Sequence, residues 1–180
     1  MTSRLLVSIV ILSAFGISSS VVGCSGPEKG ELKRKLSTRA DPGSFRVNGV
    51  TTVFERRCGS LDCHGGIGRN MRIYSARGLR LPNEAGLAPG AGETTIDEST
   101  ANYHSILTLE PELTNEVIEG ADPYTLLVVK KPLELEKHKG GPAIRKGDDA
   151  ERCIVSWLKA DLITPIDKEA CTRAAAFPKE

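Results

Sequence analysis

Aromatic side chains are scarce in this 180-residue chain, which contains four Phe, three Tyr and one Trp. Neither sign of charge predominates, because 24 Lys and Arg stand against 23 Asp and Glu, for a net charge of +1. Such a chain lacks the excess basic charge that neutralises phosphates, which argues against nucleic acid as a partner. The hydrophobic content of 39% is ordinary and argues against extensive disorder. We predict one domain whose core needs apolar surface from a source other than aromatic rings.

The apolar run near the N-terminus, residues 5–15, is too short to span a bilayer, which takes about 20 apolar residues. Arg4 precedes this run and Val21-Val22-Gly23-Cys24 follows it, which is the pattern of a bacterial lipoprotein signal. We therefore predict that residues 1–23 are a signal peptide and that Cys24 is lipidated. An ordinary secretory signal or an uncleaved anchor, with Cys24 a spare cysteine, is the alternative.

Removal of residues 1–23 would leave a chain of zero net charge. Residues 24–43 are polar without apolar periodicity and are predicted to be a solvated tether, and residues 44–180 the folded domain. The anchor predicts the periplasmic side of a bacterial membrane, and Ser25 after the lipidated residue favours the outer membrane. Disulfide bonds are permitted in that compartment.

Two of the remaining cysteines, Cys58 and Cys63, form a C-x4-C-H motif with His64. A spacing of two residues would be the attachment signature of haem c, in which two thiols form thioethers and the histidine binds the iron. Gly59 and Ser60 tolerate the bulge that the longer spacing requires. The motif favours one covalent haem c, with two alternatives. The cysteines could close a small disulfide loop, or could bind zinc, although structural zinc sites use four ligands.

The other two cysteines, Cys153 and Cys171, are 18 positions apart. A disulfide bond between them would stabilise the fold by about 3 kcal/mol in the chain-entropy model. This pairing leaves no thiol over, since one cysteine holds a lipid and two hold the haem. We therefore predict a Cys153–Cys171 disulfide.

The segment around the motif, residues 54–66 followed by 69–74, resembles bacterial c-type cytochromes with widened haem motifs. Downstream segments are similar to the rest of that domain: 122–132, 138–141, 147–149 and 157–158. The resemblance covers about residues 45–160. It implies a monohaem cytochrome that passes electrons to a redox partner protein, and an all-α cytochrome-like fold with long loops.

A sixth iron ligand is expected from Met or His. The candidates are Met71, His104 and His138. We expect Met71 to be a core side chain and His104 a surface or capping residue of a helix. His138 lies in a glycine-containing turn that matches an HxGG motif of the resembling domain, and is the preferred ligand. Two histidine ligands would give a low-spin haem of low potential.

Apolar spacing predicts a helix over residues 45–58 that ends at the motif. Further helices are predicted, and residues 76–93, rich in Gly, Ala and Pro, are predicted to be a long loop. The further helices cover residues 95–109, 111–119, 123–131 and 150–159, the last capped by Asp148 and Asp149 and expected to cross the first helix near Phe54.

The pattern indicates electron transfer and no enzymatic activity, because Asp148 and Asp149 suit a helix start better than an acid–base pair. We expect a monomer. Two other functions remain open from the sequence. One is a haem-free, disulfide-stabilised binding or scaffold lipoprotein, and the other is a gas sensor whose haem keeps an open sixth position.

Overall fold

The computed structural model of the chain describes residues 41–160 and 164–176, all within one compact unit, Leu36–Glu180. The predicted signal peptide, Cys24 and most of the predicted tether lie outside the described residues. Within them the fold is all-helical without strands, which confirms the predicted class. The helices are α1 Pro42–Val47, α2 Val50–Cys58, α3 Ile96–Leu107, α4 Pro111–Ile118, α5 Leu127–Lys130, α6 Asp149–Leu158 and α7 Lys168–Ala175. No helix in this part of the chain is long and apolar enough to cross a membrane.

The single helix predicted over residues 45–58 is wrong, because the chain breaks between α1 and α2. Gly49 adopts φ +77°, a left-handed conformation that costs glycine little, and begins α2. Helix α1 starts at Pro42, where the Asp41 carboxylate accepts from the Ser44 amide. The folded domain thus begins slightly before residue 44, inside the end of the predicted tether.

Two other elements differ from the prediction. Residues 123–131 are not one helix but a 3₁₀ turn, Pro123–Thr125, followed by the single turn of α5, because Leu126 between them is extended. Helix α7 was not predicted at all. Residues 76–93 form the predicted loop without helix or strand.

Four aromatic side chains form one buried cluster between the helices. Phe45 of α1 lies 4.9 Å from Trp157 of α6 and 5.9 Å from Tyr103 of α3, between ring centres. Phe54 of α2 lies 6.4 Å from Trp157. Ring centres at these distances are in contact. The cluster therefore joins four helices, and it confirms the expected contact of the Trp157 helix with Phe54.

The disulfide bond predicted between Cys153 and Cys171 is present. It joins α6 to α7, and both residues are fully buried. The bridge therefore fixes the C-terminal helix to the helix that carries Trp157.

An ion pair anchors the long loop to α3. Glu98, whose side chain is fully buried, accepts from Arg80 Nε at 2.7 Å and from Arg80 Nη2 at 2.9 Å. It also accepts from the amides of Leu81 and Thr95. Burial opposes ionisation of Glu98, but these hydrogen bonds outweigh it and lower the pKa to about 2. Arg80 also donates to the carbonyls of Gly90 and Glu93, so one side chain closes the loop on itself.

Replacement of Glu98 by Gln should destabilise the fold by about 3 kcal/mol at pH 7, because Arg80 loses its buried partner. The free energy of unfolding can be measured in urea from Trp157 fluorescence. Asp97→Asn, in the exposed part of the same turn, should cost less than about 1 kcal/mol.

The same pair predicts a pH dependence. Its lowered pKa means that the stabilisation is complete above the ordinary value of 4.5 and is lost as the pH falls toward about 2. The stability difference between wild type and Glu98→Gln should therefore shrink across that range. A difference that is the same at pH 7 and pH 2.5 would contradict this assignment.

Candidate functional site

The C-x4-C-H motif forms a tight turn at the end of α2. Helix α2 ends at Cys58, and the His64 amide donates to the Cys58 carbonyl at 2.8 Å. The Gly65 amide donates to the Ser60 carbonyl at 2.9 Å. The two extra residues are thus absorbed by a turn that returns the chain to the end of the helix. His64 consequently follows Cys63 in the turn and is tied by its backbone to Cys58.

The two motif cysteines are free thiols, both half-buried. The small disulfide loop considered from the sequence is therefore not formed. No group of three or more His, Cys, Asp or Glu in residues 41–160 and 164–176 is placed to hold a metal ion. Burial raises the pKa of the Cys58 thiol to about 12, with a smaller contribution from Cys63.

Glycines allow the motif turn to pack against the following segment. A Cβ atom on Gly65 would stand 2.1 Å from the Gly59 carbonyl oxygen, and one on Gly78 would stand 2.4 Å from the same oxygen. Ser75 Oγ donates to this carbonyl at 2.6 Å. The backbone at Gly59, at Gly65 and at residues 75–78 thus packs so closely beside the motif that Gly65 and Gly78 leave no room for a side chain.

His64 is held by a hydrogen bond between its Nδ1 atom and the Met71 carbonyl oxygen at 2.8 Å. A carbonyl oxygen can only accept, so Nδ1 carries the proton and Nε2 keeps its lone pair. Burial lowers the pKa of His64, whereas the hydrogen bond to Met71 raises it. The charges of His138 and Arg69 lower the pKa further, and the net shift is downward. The ring is therefore neutral at pH 7, which is the form that binds metals.

His138 is held in the same way. Its Nδ1 atom lies 2.7 Å from the Gly141 carbonyl oxygen, within the turn that the sequence singled out. The reasoning from the acceptor applies again, so Nδ1 of His138 is the donor and Nε2 is the nitrogen left to bind a metal. The ring centres of His64 and His138 lie 6.2 Å apart, and the two planes are within 11° of parallel. The structure thus brings together two histidines that are 74 positions apart.

Polar side chains of α3 hold residues 72–74, which follow the Met71 carbonyl that contacts His64. The buried Asn102 pairs with both backbone groups of Tyr74, accepting from its amide at 2.6 Å and donating to its carbonyl at 2.9 Å. Ser105 Oγ accepts from the Arg72 amide at 2.7 Å. These bonds fix the chain that presents the Met71 carbonyl to His64. Neither α3 residue was predicted from the sequence, although polar residues three apart on the buried side of an amphipathic helix are a usable signal.

The other two candidates for the sixth ligand, Met71 and His104, have the positions expected from the sequence. Met71 is buried in the hydrophobic core, as expected, and it is its backbone carbonyl that contacts His64. His104 is exposed on α3, with its ring 5.1 Å from the Tyr103 ring. Cys24 lies outside the described residues.

Comparisons with protein-family models, with curated proteins and with solved structures found no match to this chain.

Replacement of Gly65 by Ala should destabilise the domain by about 3 kcal/mol, because the new Cβ would overlap the Gly59 carbonyl and force the motif turn to move. Urea unfolding followed by Trp157 fluorescence measures the effect. Gly90→Ala is the matched control, since no atom lies within 4 Å of a Cβ built there. It should change stability by less than about 1 kcal/mol. Equal stabilities of the two variants would contradict the packing described for the turn.

Proposed function

We propose that the chain is a monohaem c-type cytochrome anchored by a lipid at Cys24. In this proposal Cys58 and Cys63 hold one haem c through thioethers, and His64 and His138 bind its iron. The haem supplies the reversible exchange of one electron between ferrous and ferric iron. The protein works on the periplasmic side of a bacterial membrane, passes electrons to a redox partner protein and catalyses no reaction of its own.

The observation that carries the proposal is the spacing of the two histidine rings. A histidine nitrogen binds a metal at about 2.0–2.1 Å, and the ring centre lies about 1.2 Å behind it, so two rings on opposite sides of one ion have centres about 6.4 Å apart. The observed separation of His64 and His138 is 6.2 Å. If both Nε2 atoms faced one iron, His64 and His138 would be its two nitrogen ligands, and the ring spacing supports this assignment.

Both histidines also have the outer hydrogen bonds that metal ligands require. A ligating histidine donates its other ring N–H to a carbonyl or carboxylate, which fixes the ring and raises its basicity. Here the acceptors are the Met71 and Gly141 carbonyls. The histidines therefore need no change of tautomer to bind an iron through Nε2.

Exposed apolar side chains close in sequence to the two histidines suit a porphyrin. Leu61, Ile67 and Leu135 are large hydrophobic residues that are 57%, 83% and 57% exposed, and each is three positions from His64 or His138. Exposed apolar groups near a site mark surface that a ligand can cover. A haem covering them would supply the apolar area that the sparse aromatic residues do not.

The competing functions fit these observations less well. A haem-free scaffold with two disulfides would need Cys58 and Cys63 bonded to each other, whereas both are free thiols. A gas sensor needs an open sixth position, whereas the ring spacing of His64 and His138 would allow His138 to fill it. Neither alternative accounts for the paired histidine hydrogen bonds.

Covalent haem attachment is the direct test. Full-length protein produced with a bacterial cytochrome c maturation system should stain for haem after denaturing electrophoresis, and its mass should increase by one haem. Replacement of Cys58 and Cys63 together by Ala should abolish the stain, because no thioether can form. Ser60→Ala, a change within the same turn that removes no thiol, should leave loading intact. Wild-type protein without covalent haem would refute the proposal.

His138→Ala should convert the haem from low spin to high spin and raise its potential, because one strong-field nitrogen ligand is lost. Optical and electron paramagnetic resonance spectra measure the change. His104→Ala, at the exposed histidine of α3, should leave the spectra unchanged. A low-spin spectrum in His138→Ala would exclude His138 as the ligand while leaving haem attachment intact.

A further inference from the structure

Charge is segregated along the chain despite a net charge of only +1. Residues 56–77 and 130–146 together contain 11 Lys and Arg but only three Asp and Glu. Residues 81–129 between them contain nine Asp and Glu and no Lys or Arg. The two basic segments therefore carry a charge of +8 and the segment between them a charge of −9. Net charge conceals an arrangement strong enough to produce a local field.

The fold joins the two basic segments at one place. His64 belongs to the first and His138 to the second, and their ring centres are 6.2 Å apart. Several basic side chains of these segments are exposed: Arg69, Arg77, Lys137, Lys139, Arg145 and Lys146. We call the surface formed by residues 56–77 and 130–146 the basic site face.

Few acids offset this charge locally. Glu136 binds both Lys130 and Lys131, at 3.5 and 3.1 Å, and Asp62 and Glu134 are exposed. Six of the nine acids of the intervening segment belong to α3 or to α4 and its two cap residues: Asp97, Glu98, Glu110, Glu112, Glu116 and Glu119. The guanidinium of the exposed Arg69 donates to the Asp62 carbonyl at 2.9 Å, within the motif turn that carries His64. Basic side chains therefore lie in both segments that supply the histidine pair.

We propose that the basic site face docks an acidic protein partner over the histidine pair. The docking follows from the charges alone, and its use for electron transfer depends on the function proposed above. Complementary charge raises the rate of encounter by about 10- to 1,000-fold at low salt and orients the partner. In each encounter the partner takes or gives one electron, and no proton or other group is transferred.

A kinetic experiment tests the sign of the field at the site. Reduced, haem-loaded protein is mixed with an anionic oxidant, hexacyanoferrate(III), or a cationic one, tris(phenanthroline)cobalt(III), and each oxidant takes one electron. Oxidation by the anion should slow about tenfold as ionic strength rises from about 10 mM to about 0.5 M, because salt shortens the range of the attraction. Oxidation by the cation should be unchanged or faster. The same salt dependence for both oxidants would overturn the proposal.

Charge-reversed variants locate the field. Arg77→Glu with Lys139→Glu changes one exposed residue in each basic segment. Lys159→Glu with Lys168→Glu makes the same change in net charge at exposed positions of the C-terminal part. The first pair should slow oxidation by hexacyanoferrate(III) at least fivefold at low salt, and the control pair less than twofold. Equal effects of the two pairs would mean that net charge alone acts and would overturn the proposal.

A binding experiment separates docking from haem chemistry. A ten-residue glutamate peptide is added to the ¹⁵N-labelled full chain, and amide shifts are followed by NMR. Shifts confined to residues 56–77 and 130–146, and removed by 0.5 M salt, support docking even if no haem is attached. Binding to phosphatidylglycerol vesicles without binding of the peptide would assign the face to the membrane instead. Self-association at low salt that Arg77→Glu with Lys139→Glu abolishes would assign it to a second copy. Either result would overturn the acidic protein partner.

Discussion

The pairing of Asn102 with the backbone of Tyr74 is the interaction on which the candidate site depends. Residues 71–75 are not part of any helix, so they obtain their order from what they contact. Asn102 satisfies both backbone groups of Tyr74 from a fully buried position on α3. That contact carries the rigidity of a helix to the Met71 carbonyl and then to His64. An orienting bond to a metal ligand is only as firm as the chain that supplies the acceptor.

Helices α2 and α3 thus position different parts of the candidate site. Helix α2 delivers Cys58 directly, because it ends there, and Cys63 follows in the turn. Helix α3 acts indirectly, because its side chains hold the backbone of residues 71–75, which in turn contacts His64. The aromatic cluster sets the positions of both helices, since Phe54 of α2 and Tyr103 of α3 contact the same Trp157 ring. Four of the eight aromatic residues of the chain therefore lie where they position the two helices that support the motif.

Local patterns in the sequence predicted much of this arrangement. The capping residue of α6, the long loop, the Cys153–Cys171 bridge and the helix that ends at Cys58 were predicted, because each rests on a pattern within a short stretch of sequence. The break at Gly49 was missed because apolar spacing does not report a left-handed backbone. The bonds made by Asn102 and Ser105 were missed because they join positions about 30 residues apart. The pairing of His64 and His138 followed from a resemblance, and spacing alone could not have supplied it.

Arg80 closes the long loop and so makes the position of α3 relative to Tyr74 independent of the length of that loop. Arg80 binds the carbonyls of Gly90 and Glu93 while its guanidinium is held by Glu98, so the loop begins and ends at the same place. The chain between these contacts is therefore a loop whose two ends are held together. Its length does not affect the distance between Tyr74 and α3. Residues can be added to or removed from the middle of this loop over evolution without a change in the histidine geometry. The exposed stretch around Leu87 is therefore where related proteins should differ most in length, and where a new function could be acquired without cost to the old one.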